Sequence, residues 1–312
     1  MSTISVVQDN IIPGRVVQAR RELLVFFAIL IPLTAVAYTM MFAAHLPDFL
    51  LLWTPAISAI VARFILRLGF SDVSFRFGGK KTFSTILFAI IFTLLIAGIP
   101  YVIAWISGLA HMIAVPKGII PSFIPSAADP TLRFVEVLLV ALTLGLLGFA
   151  LLFTDGEEIG WRGFMLTRFI EAKLPYPLLL QGLVWGAWHI PFIVSDTYKP
   201  GGSPNLALGV VVFMVTSTSF AYFLAWLRLR TGSIYPSIIA HGAWNSLTQI
   251  AFDSVSTGSL SRLWIGESGL LVAGVCVLAV FALYRLWPLD ELLRKPGQPI
   301  GESDAVLKDA RV

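Results

Sequence analysis

Long apolar runs separated by short polar seams recur along the whole chain. Each run holds about 20 residues, the length that an α-helix needs to cross the hydrocarbon core of a bilayer. The seams are rich in Gly, Pro and Ser, which end helices. The pattern predicts an all-α, polytopic transmembrane helical bundle of about eight spanning helices, at roughly residues 23–44, 49–68, 83–106, 133–157, 177–195, 206–227, 234–253 and 268–287.

The composition supports a membrane protein and excludes other classes. Hydrophobic residues make up 57% of the 312 residues and charged residues only 13%, whereas soluble domains are about 45–50% apolar. A soluble α/β fold is therefore excluded. Lys and Arg are dispersed between apolar runs rather than clustered on one face, so the predicted partner is the lipid bilayer and not nucleic acid. The single cysteine, Cys276, excludes an intramolecular disulfide and a thiolate metal cluster.

Positive charge orients the predicted bundle, because cytoplasmic loops of membrane proteins are enriched in Lys and Arg. Both termini are therefore predicted in the cytoplasm, with the protein in a bacterial inner membrane. The basic residues of the cytoplasmic seams are Arg15, Arg20, Arg21, Arg63, Arg67, Arg76, Lys80, Lys81, Arg162, Arg168, Lys173, Arg228, Arg230, Arg285, Arg294 and Lys295. The opposite seams hold the acidic residues Asp48, Asp129, Asp196 and Glu267.

The predicted domain organisation is one bundle between two polar ends. Residues 1–22 are predicted as a cytoplasmic N-terminal segment, and residues 23–290 as the bundle. The polar tail, residues 291–312, is rich in Gly, Pro and charge and is predicted to be cytoplasmic and disordered. Arg63 and Arg67, near the end of the second span, are expected to extend their charged ends to the membrane interface.

Charged and polar groups inside the apolar part are the main sign of function, because ionisable residues at membrane depth are costly and usually functional. Glu157 lies beside a second glutamate at the predicted end of the fourth span, and two histidines lie inside later spans. Four-residue spacing places three pairs on shared helix faces: Glu158 with Arg162, Trp185 with His189, and His241 with Asn245. Three helices are thus predicted to direct polar groups inward.

The residue types indicate hydrolysis. A glutamate beside a neutral imidazole can act as a general base for water, and a second histidine with an asparagine can stabilise an oxyanion. No serine lies in a GxSxG elbow and Cys276 is in another span, which disfavours covalent catalysis. A single buried histidine or a Glu–Arg pair is often only structural, but their joint occurrence favours chemistry. His45 and His111 are predicted to have no chemical role.

Three motifs resemble those of the CAAX protease and bacteriocin-processing (CPBP, or Abi) intramembrane protease family, which is related to the Ras-converting CAAX endopeptidases. The motifs are Glu157-Glu158-x-x-x-Arg162, Trp185-x-x-x-His189 and His241-x-x-x-Asn245. The resemblance covers about residues 150–250, the predicted protease core. Where many relatives have Phe, this chain has Trp185, which is expected to keep a packing role.

The resemblance implies an intramembrane endopeptidase that cuts a peptide or lipidated peptide near the cytoplasmic face, in CAAX-type or bacteriocin-related processing. Glu157 and His189 would activate the attacking water, and His241 and Asn245 would stabilise the oxyanion. The supporting residues would be Glu158, Arg162 and Trp185.

Two alternatives remain open from the sequence. The family is described both as glutamate-dependent and as metal-dependent, and a zinc site would use Glu157, His189 and His241, although no HExxH pair is present. We favour a metal-free site. The alternative function is a transporter that relays protons, or a non-enzymatic scaffold. A translocation path requires polar groups across the full membrane depth, whereas the outer halves of these spans are apolar.

Overall fold

The computed structural model describes residues 3–77, 79–113, 116, 129–195 and 205–289. These residues fold almost entirely into helices, which confirms the all-α class. The described helices are α1 (Thr3–Ala44), α2 (Phe49–Leu66), α3 (Gly79–Ser107), α4 (residues 130–171), α5 (Pro177–Trp188), α6 (Ile190–Val194), α7 (Leu206–Thr231), α8 (residues 235–252), α9 (Ser261–Trp264) and α10 (Leu270–Leu286). A 3₁₀ turn, Ser71–Val73, and a two-stranded antiparallel pair of His111–Met112 with Ser256–Thr257 complete the described part.

In the described part of the chain, five helices are long and apolar enough to cross a membrane: Gly14–Ala44, Phe49–Leu66, Thr82–Ser107, Thr131–Glu171 and Leu206–Thr231. The other three predicted spans correspond to α5 with α6, to α8 and to α10. They are helical but do not meet the same criterion of length and composition. The transmembrane helical class is confirmed, while the count of eight and the cytoplasmic termini stay predictions.

The ends of two predicted segments differ from the structure. Helix α1 begins at Thr3, so most of the predicted N-terminal segment is the first part of the same helix. The fourth span, predicted to end at residue 157, continues as α4 to Glu171. The charges that suggested an end are buried and paired inside the bundle, so they do not require the helix to stop. The tail predicted at residues 291–312 lies outside the described residues.

Helix α4 is not a regular α-helix. Its α-helical turns alternate with three π-helical segments, Ala141–Gly145, Ala150–Thr154 and Trp161–Met165. A fourth π segment, Ser246–Phe252, ends α8. π-helical turns are rare in proteins, but those that do occur are often found at functional sites. Here they border the motif residues of both helices.

Glycines let α4 and its neighbours approach closely. Gly156 and Gly160 form a G-x-x-x-G pair on α4, against Trp53 and Pro55 of α2. A Cβ on Gly160 would lie 2.3 Å from Cβ of Pro55 and 2.5 Å from its carbonyl carbon. Small residues at four-residue spacing commonly form helix contacts in membranes. The glutamates between these two glycines are thereby held against α2.

Ion pairs join one end of the bundle in a group that we call the arginine cluster: Glu22, Arg63, Asp72, Arg168 and Arg228. Arg63 Nη1 and Arg168 Nη2 each lie 2.6 Å from a carboxylate oxygen of Asp72. Arg168 also contacts Glu22, and Arg228 donates to the Asp72 carbonyl at 2.7 Å. Arg63 is buried, so the expectation that it reaches the membrane interface is wrong. Its carboxylate partner, the partly buried Asp72, replaces interfacial water.

Acid should weaken the arginine cluster through Asp72. Burial acts to raise the pKa of the Asp72 carboxyl, but hydrogen bonds and charges from Arg63 and Arg168 outweigh burial and hold this pKa below its usual value. Such a carboxyl stabilises the fold above its unfolded-state pKa of about 3.9. The stabilisation is lost as the pH falls through the lower, folded-state pKa.

We therefore expect Asp72→Asn to lower the free energy of unfolding by about 3 kcal/mol at pH 7, because it leaves buried arginines short of a counter-charge. The difference from wild type should begin to shrink once the pH falls below the unfolded-state pKa of about 3.9 and should be lost below the folded-state pKa of Asp72. Thermal unfolding of both proteins in detergent between pH 7 and pH 3 measures the difference in stability at pH 7 and its decrease at low pH. A difference that is the same at both ends of this range would contradict the prediction.

Candidate active site

The motif residues come from three helices that pack around one cavity. Glu157, Glu158 and Arg162 lie in the middle of α4, Trp185 and His189 at the end of α5, and His241 and Asn245 on α8. Both glutamates, Arg162 and both histidines are buried. The structure therefore brings together all seven residues that the sequence singled out. His45 and His111 lie elsewhere, and both are exposed.

Glu157 faces His189 across a short gap. Glu157 Oε2 accepts a hydrogen bond from Trp185 Nε1 at 2.7 Å and lies 4.0 Å from His189 Nε2. His189 Nδ1 lies 2.9 Å from the Trp185 carbonyl oxygen, an acceptor, so Nδ1 carries the proton and Nε2 has the lone pair. A separation of 4.0 Å is too long for a direct hydrogen bond, but a single water can bridge it.

Glu158 connects two of the other motif residues. Its Oε1 accepts from Arg162 Nη1 at 2.7 Å and lies 2.9 Å from His241 Nδ1. The carboxylate is an acceptor when it is paired with Arg162, so His241 also carries its proton on Nδ1. The sequence predicted the Arg162 contact. It did not predict the contact with His241, which joins positions 83 residues apart.

Trp185 does more than pack. Its indole N–H fixes Glu157, and its ring lies against Arg162, with the guanidinium carbon 4.5 Å from the ring centroid. It also meets His241 edge to face, at 5.2 Å between centroids. A phenylalanine would supply the ring contacts but not the hydrogen bond to Glu157. Trp185 is thus a shared support for both glutamates.

The cavity has a volume of about 100 Å³. Glu157, His189, His241 and Asn245 line it, together with aromatic residues from α4, α6 and α7. Asp48 and Glu267 line it as well; the sequence placed both in seams on the non-cytoplasmic side and gave them no role. No sequence motif contains Glu267, so only the structure shows that it lines the cavity.

The position of these two acids bears on the predicted topology. The cavity is bordered by loops of the side predicted to be non-cytoplasmic, while the arginine cluster lies at the ends of α2, α4 and α7. If the arginine cluster marks the cytoplasmic side, as the charge pattern predicts, the cavity lies toward the opposite side of the membrane. The predicted orientation therefore conflicts with the predicted cut near the cytoplasmic face. Both stay predictions, and the location of the site inside the bundle does not depend on either.

The residues proposed for zinc do not form a ligand group. Within the described residues, no three His, Cys, Asp or Glu side chains are gathered so that they could hold a metal ion. Both imidazoles have Nδ1 engaged, as zinc-ligating histidines do, so the donor types suit a metal. Their arrangement with Glu157 does not form such a group in the described part of the chain.

Comparison with known families gives a match over the motif-bearing helices. Residues 130–247 match the family model described as type II CAAX prenyl endopeptidase, Rce1-like. This segment is similar to the Rce1-like domain over those residues. The match agrees with the CPBP resemblance and supports a CAAX-type intramembrane endopeptidase, which implies a lipid bilayer and a peptide substrate. A search of curated proteins gives no significant match. The helices before and after this segment lie outside the matched residues, as do Asp48 and Glu267.

Proposed function

We propose that the protein is an intramembrane endopeptidase that uses Glu157 and His189 to activate a water molecule. The observation that carries the proposal is the buried gap of 4.0 Å between Glu157 Oε2 and His189 Nε2. One hydrogen-bond acceptor on each side can hold both hydrogens of a single water and direct its oxygen lone pair into the cavity. A general base must lie within about 3 Å of the proton that it takes, and the gap allows this on both sides.

The chemical steps follow from these positions. Glu157 takes a proton as the water oxygen attacks the carbonyl carbon of the substrate, giving a tetrahedral oxyanion. Glu157 then returns that proton to the leaving amine as the C–N bond breaks. The products are a carboxylic acid and an amine, so water is the sole co-reactant. Trp185 keeps Glu157 in place throughout.

We assign the stabilisation of the substrate oxyanion to the side chains of His241 and Asn245. The Asn245 side chain donates through its amide NH₂ group. His241 already donates through Nδ1 to Glu158, so its Nε2 donates only when the ring is the doubly protonated imidazolium. Donors aimed at a developing oxyanion in a site of low dielectric constant contribute about 10²–10³ in rate.

A cleavage assay with histidine variants tests the proposal. Wild type, His189→Ala and the matched control His111→Ala are compared on reporter membrane peptides, with expression and thermal unfolding checked for each. We expect His189→Ala to lower the cleavage rate at least about 10²-fold, because it removes one of the two groups that hold the water. His111→Ala should cleave as wild type does, since His111 lies in an exposed strand and does not line the cavity.

Two outcomes would contradict the proposal in different ways. Cleavage at the wild-type rate by a folded His189→Ala protein would show that this site does not carry out the reaction. Stoichiometric zinc in wild type, lost together with activity in His189→Ala, would keep the site but change the role of His189 from water-positioning group to metal ligand.

A further inference from the structure

Helix α1 contacts the turn that carries His189, although α1 lies outside the residues that match the family model. The turn is the junction of two helices, since α5 ends at Trp188 and α6 begins at Ile190. His189 lies between them, with φ −83° and ψ −12°, and Pro191 follows two residues later. Proline has no N–H to donate to a carbonyl of the preceding turn. The end of α5 therefore lacks one of the donors that a continuous helix would provide.

Two side chains of α1 bind Trp188. Tyr38 Oη donates to the Trp188 carbonyl oxygen at 2.7 Å, and this contact is buried. Trp188 Nε1 donates to Thr34 Oγ1 at 3.2 Å. Thr34 and Tyr38 are four residues apart, so they share one face of α1. The same helix face thus holds both the main chain and the ring of Trp188.

The polar contacts continue from Thr34 into α2. Thr34 Oγ1 lies 3.2 Å from Thr54 Oγ1, and Thr54 Oγ1 donates to the Leu51 carbonyl oxygen at 2.8 Å. A hydroxyl group has one hydrogen to donate. Because Thr54 gives its hydrogen to Leu51, Thr34 donates to Thr54 and accepts from Trp188. The Thr34 hydroxyl is thereby held in the orientation that binds the indole N–H.

The position of Trp188 affects the position of the His189 ring. The two rings meet edge to face, with 4.7 Å between centroids, and His189 Nδ1 lies 2.9 Å from the Trp185 carbonyl oxygen. A water between His189 Nε2 and Glu157 Oε2 requires their separation of 4.0 Å to be kept. A displacement of about 1 Å near a reacting group can lower a rate by about 10²-fold. Contacts that hold Trp188 therefore bear on the rate.

We propose that Tyr38 is a positioning residue for peptide hydrolysis: it binds the Trp188 carbonyl and so keeps His189 at the distance from Glu157 that one water fills. This inference rests on the proposed function. The described residues that line the cavity do not include Tyr38, so it acts through His189 and not on the substrate. The matched segment is then completed by α1, a helix from outside it.

A double-mutant cycle between Tyr38 and His189 tests the inference. The values of kcat and KM for a reporter membrane peptide are measured for wild type, Tyr38→Phe, His189→Ala and the double variant, with thermal unfolding checked for each. The control is Tyr284→Phe, which removes the same hydroxyl group from an exposed position of α10. Thr34→Val removes the other contact of α1 with Trp188.

We expect Tyr38→Phe to lower kcat by about tenfold and to leave KM within about twofold of wild type, because a group that holds water moves while the peptide contacts stay. In the His189→Ala background, Tyr38→Phe should have no further effect, since residues that act as a unit are not additive. Thr34→Val should also lower kcat without changing KM. Tyr284→Phe should behave as wild type does.

The opposite results are distinguishable. A folded Tyr38→Phe protein with the kcat of wild type, or a loss that multiplies with the loss in His189→Ala, would overturn the inference and leave the endopeptidase function standing. A higher KM with unchanged kcat would assign Tyr38 to peptide binding and would also overturn it. If Tyr38→Phe does not fold, the kcat of Thr34→Val decides in the same way. Cleavage at the wild-type rate by His189→Ala would overturn the proposed function and the inference together.

Discussion

Glu157→Gln should lower the rate of peptide cleavage by about 10²–10⁴-fold, the range that general-base catalysis supplies, and should leave the fold intact. The glutamine carbonyl oxygen can still accept the hydrogen bond that Trp185 Nε1 now gives to Glu157. What the variant loses is the group that takes a proton from water. The measurement is single-turnover cleavage of a reporter peptide, beside thermal unfolding of the same preparation in detergent.

Glu158→Gln is the matched comparison, since the two glutamates are neighbours and both are buried. Glu158 is the counter-charge of Arg162 and the acceptor for His241. Removing one partner of a buried ion pair costs about 3–5 kcal/mol, so this variant should be strongly destabilised. Adding Arg162→Met should recover part of the stability, because the unpaired buried cation is then gone.

The two glutamate variants therefore separate chemistry from folding. Near-normal cleavage by a folded Glu157→Gln protein would show that Glu157 is not the general base. A Glu158→Gln protein as stable as wild type would show that the Arg162 pair is not what holds this part of α4. Equal losses of activity and stability in both variants would contradict the division of roles between them.

Gly160→Ala should disrupt the contact between α2 and α4. The added Cβ would lie within 2.6 Å of three atoms of Pro55, two of which are backbone atoms, so no side-chain rotation relieves the clash. Overpacking of this kind costs about 1–3 kcal/mol or more. The helices must move apart, which also displaces Glu157 and Glu158. We expect a lower unfolding temperature together with at least about tenfold slower cleavage, measured on one detergent preparation.

Gly148→Ala is the control on the same helix. A Cβ at Gly148 meets nothing within 4 Å, and alanine favours helix over glycine by about 1 kcal/mol. This variant should be as stable as wild type or more stable, and should be fully active. Wild-type stability and activity in Gly160→Ala would mean that the close approach of α4 to Pro55 is not required for the site.

The hydrophobic pattern predicted the helical class because burial in a bilayer leaves few other solutions for the backbone. The four-residue spacings predicted which residues share a face, and the structure brings those faces together. The sequence did not predict that α4 runs on to Glu171, because charge normally ends a membrane helix. Here Arg162 and Arg168 have buried carboxylate partners.

Contacts between positions far apart in the chain could not be predicted from a single sequence. The bond between Glu158 and His241 depends on how α4 and α8 cross, and Trp185 as a hydrogen-bond donor depends on its ring orientation. Glu267 lies in a loop without a motif, and the hydrogen bond from Trp244 Nε1 helps to hold it at the cavity. Each of these is a property of tertiary packing rather than of local pattern.

The π-helical segments of α4 make the site sensitive to chain length. A π turn contains about one residue more than an α turn, and each residue of an α-helix rotates the chain by about 100°. Deleting one residue from Ala150–Thr154 would let that turn become α-helical and keep the residues on both sides in phase. Deleting one residue from a regular α-helical turn of α4 would instead rotate the residues before it by about 100° relative to the glutamates. The aim of Glu157 at His189 therefore depends on where along α4 a residue is lost as well as on which residues remain.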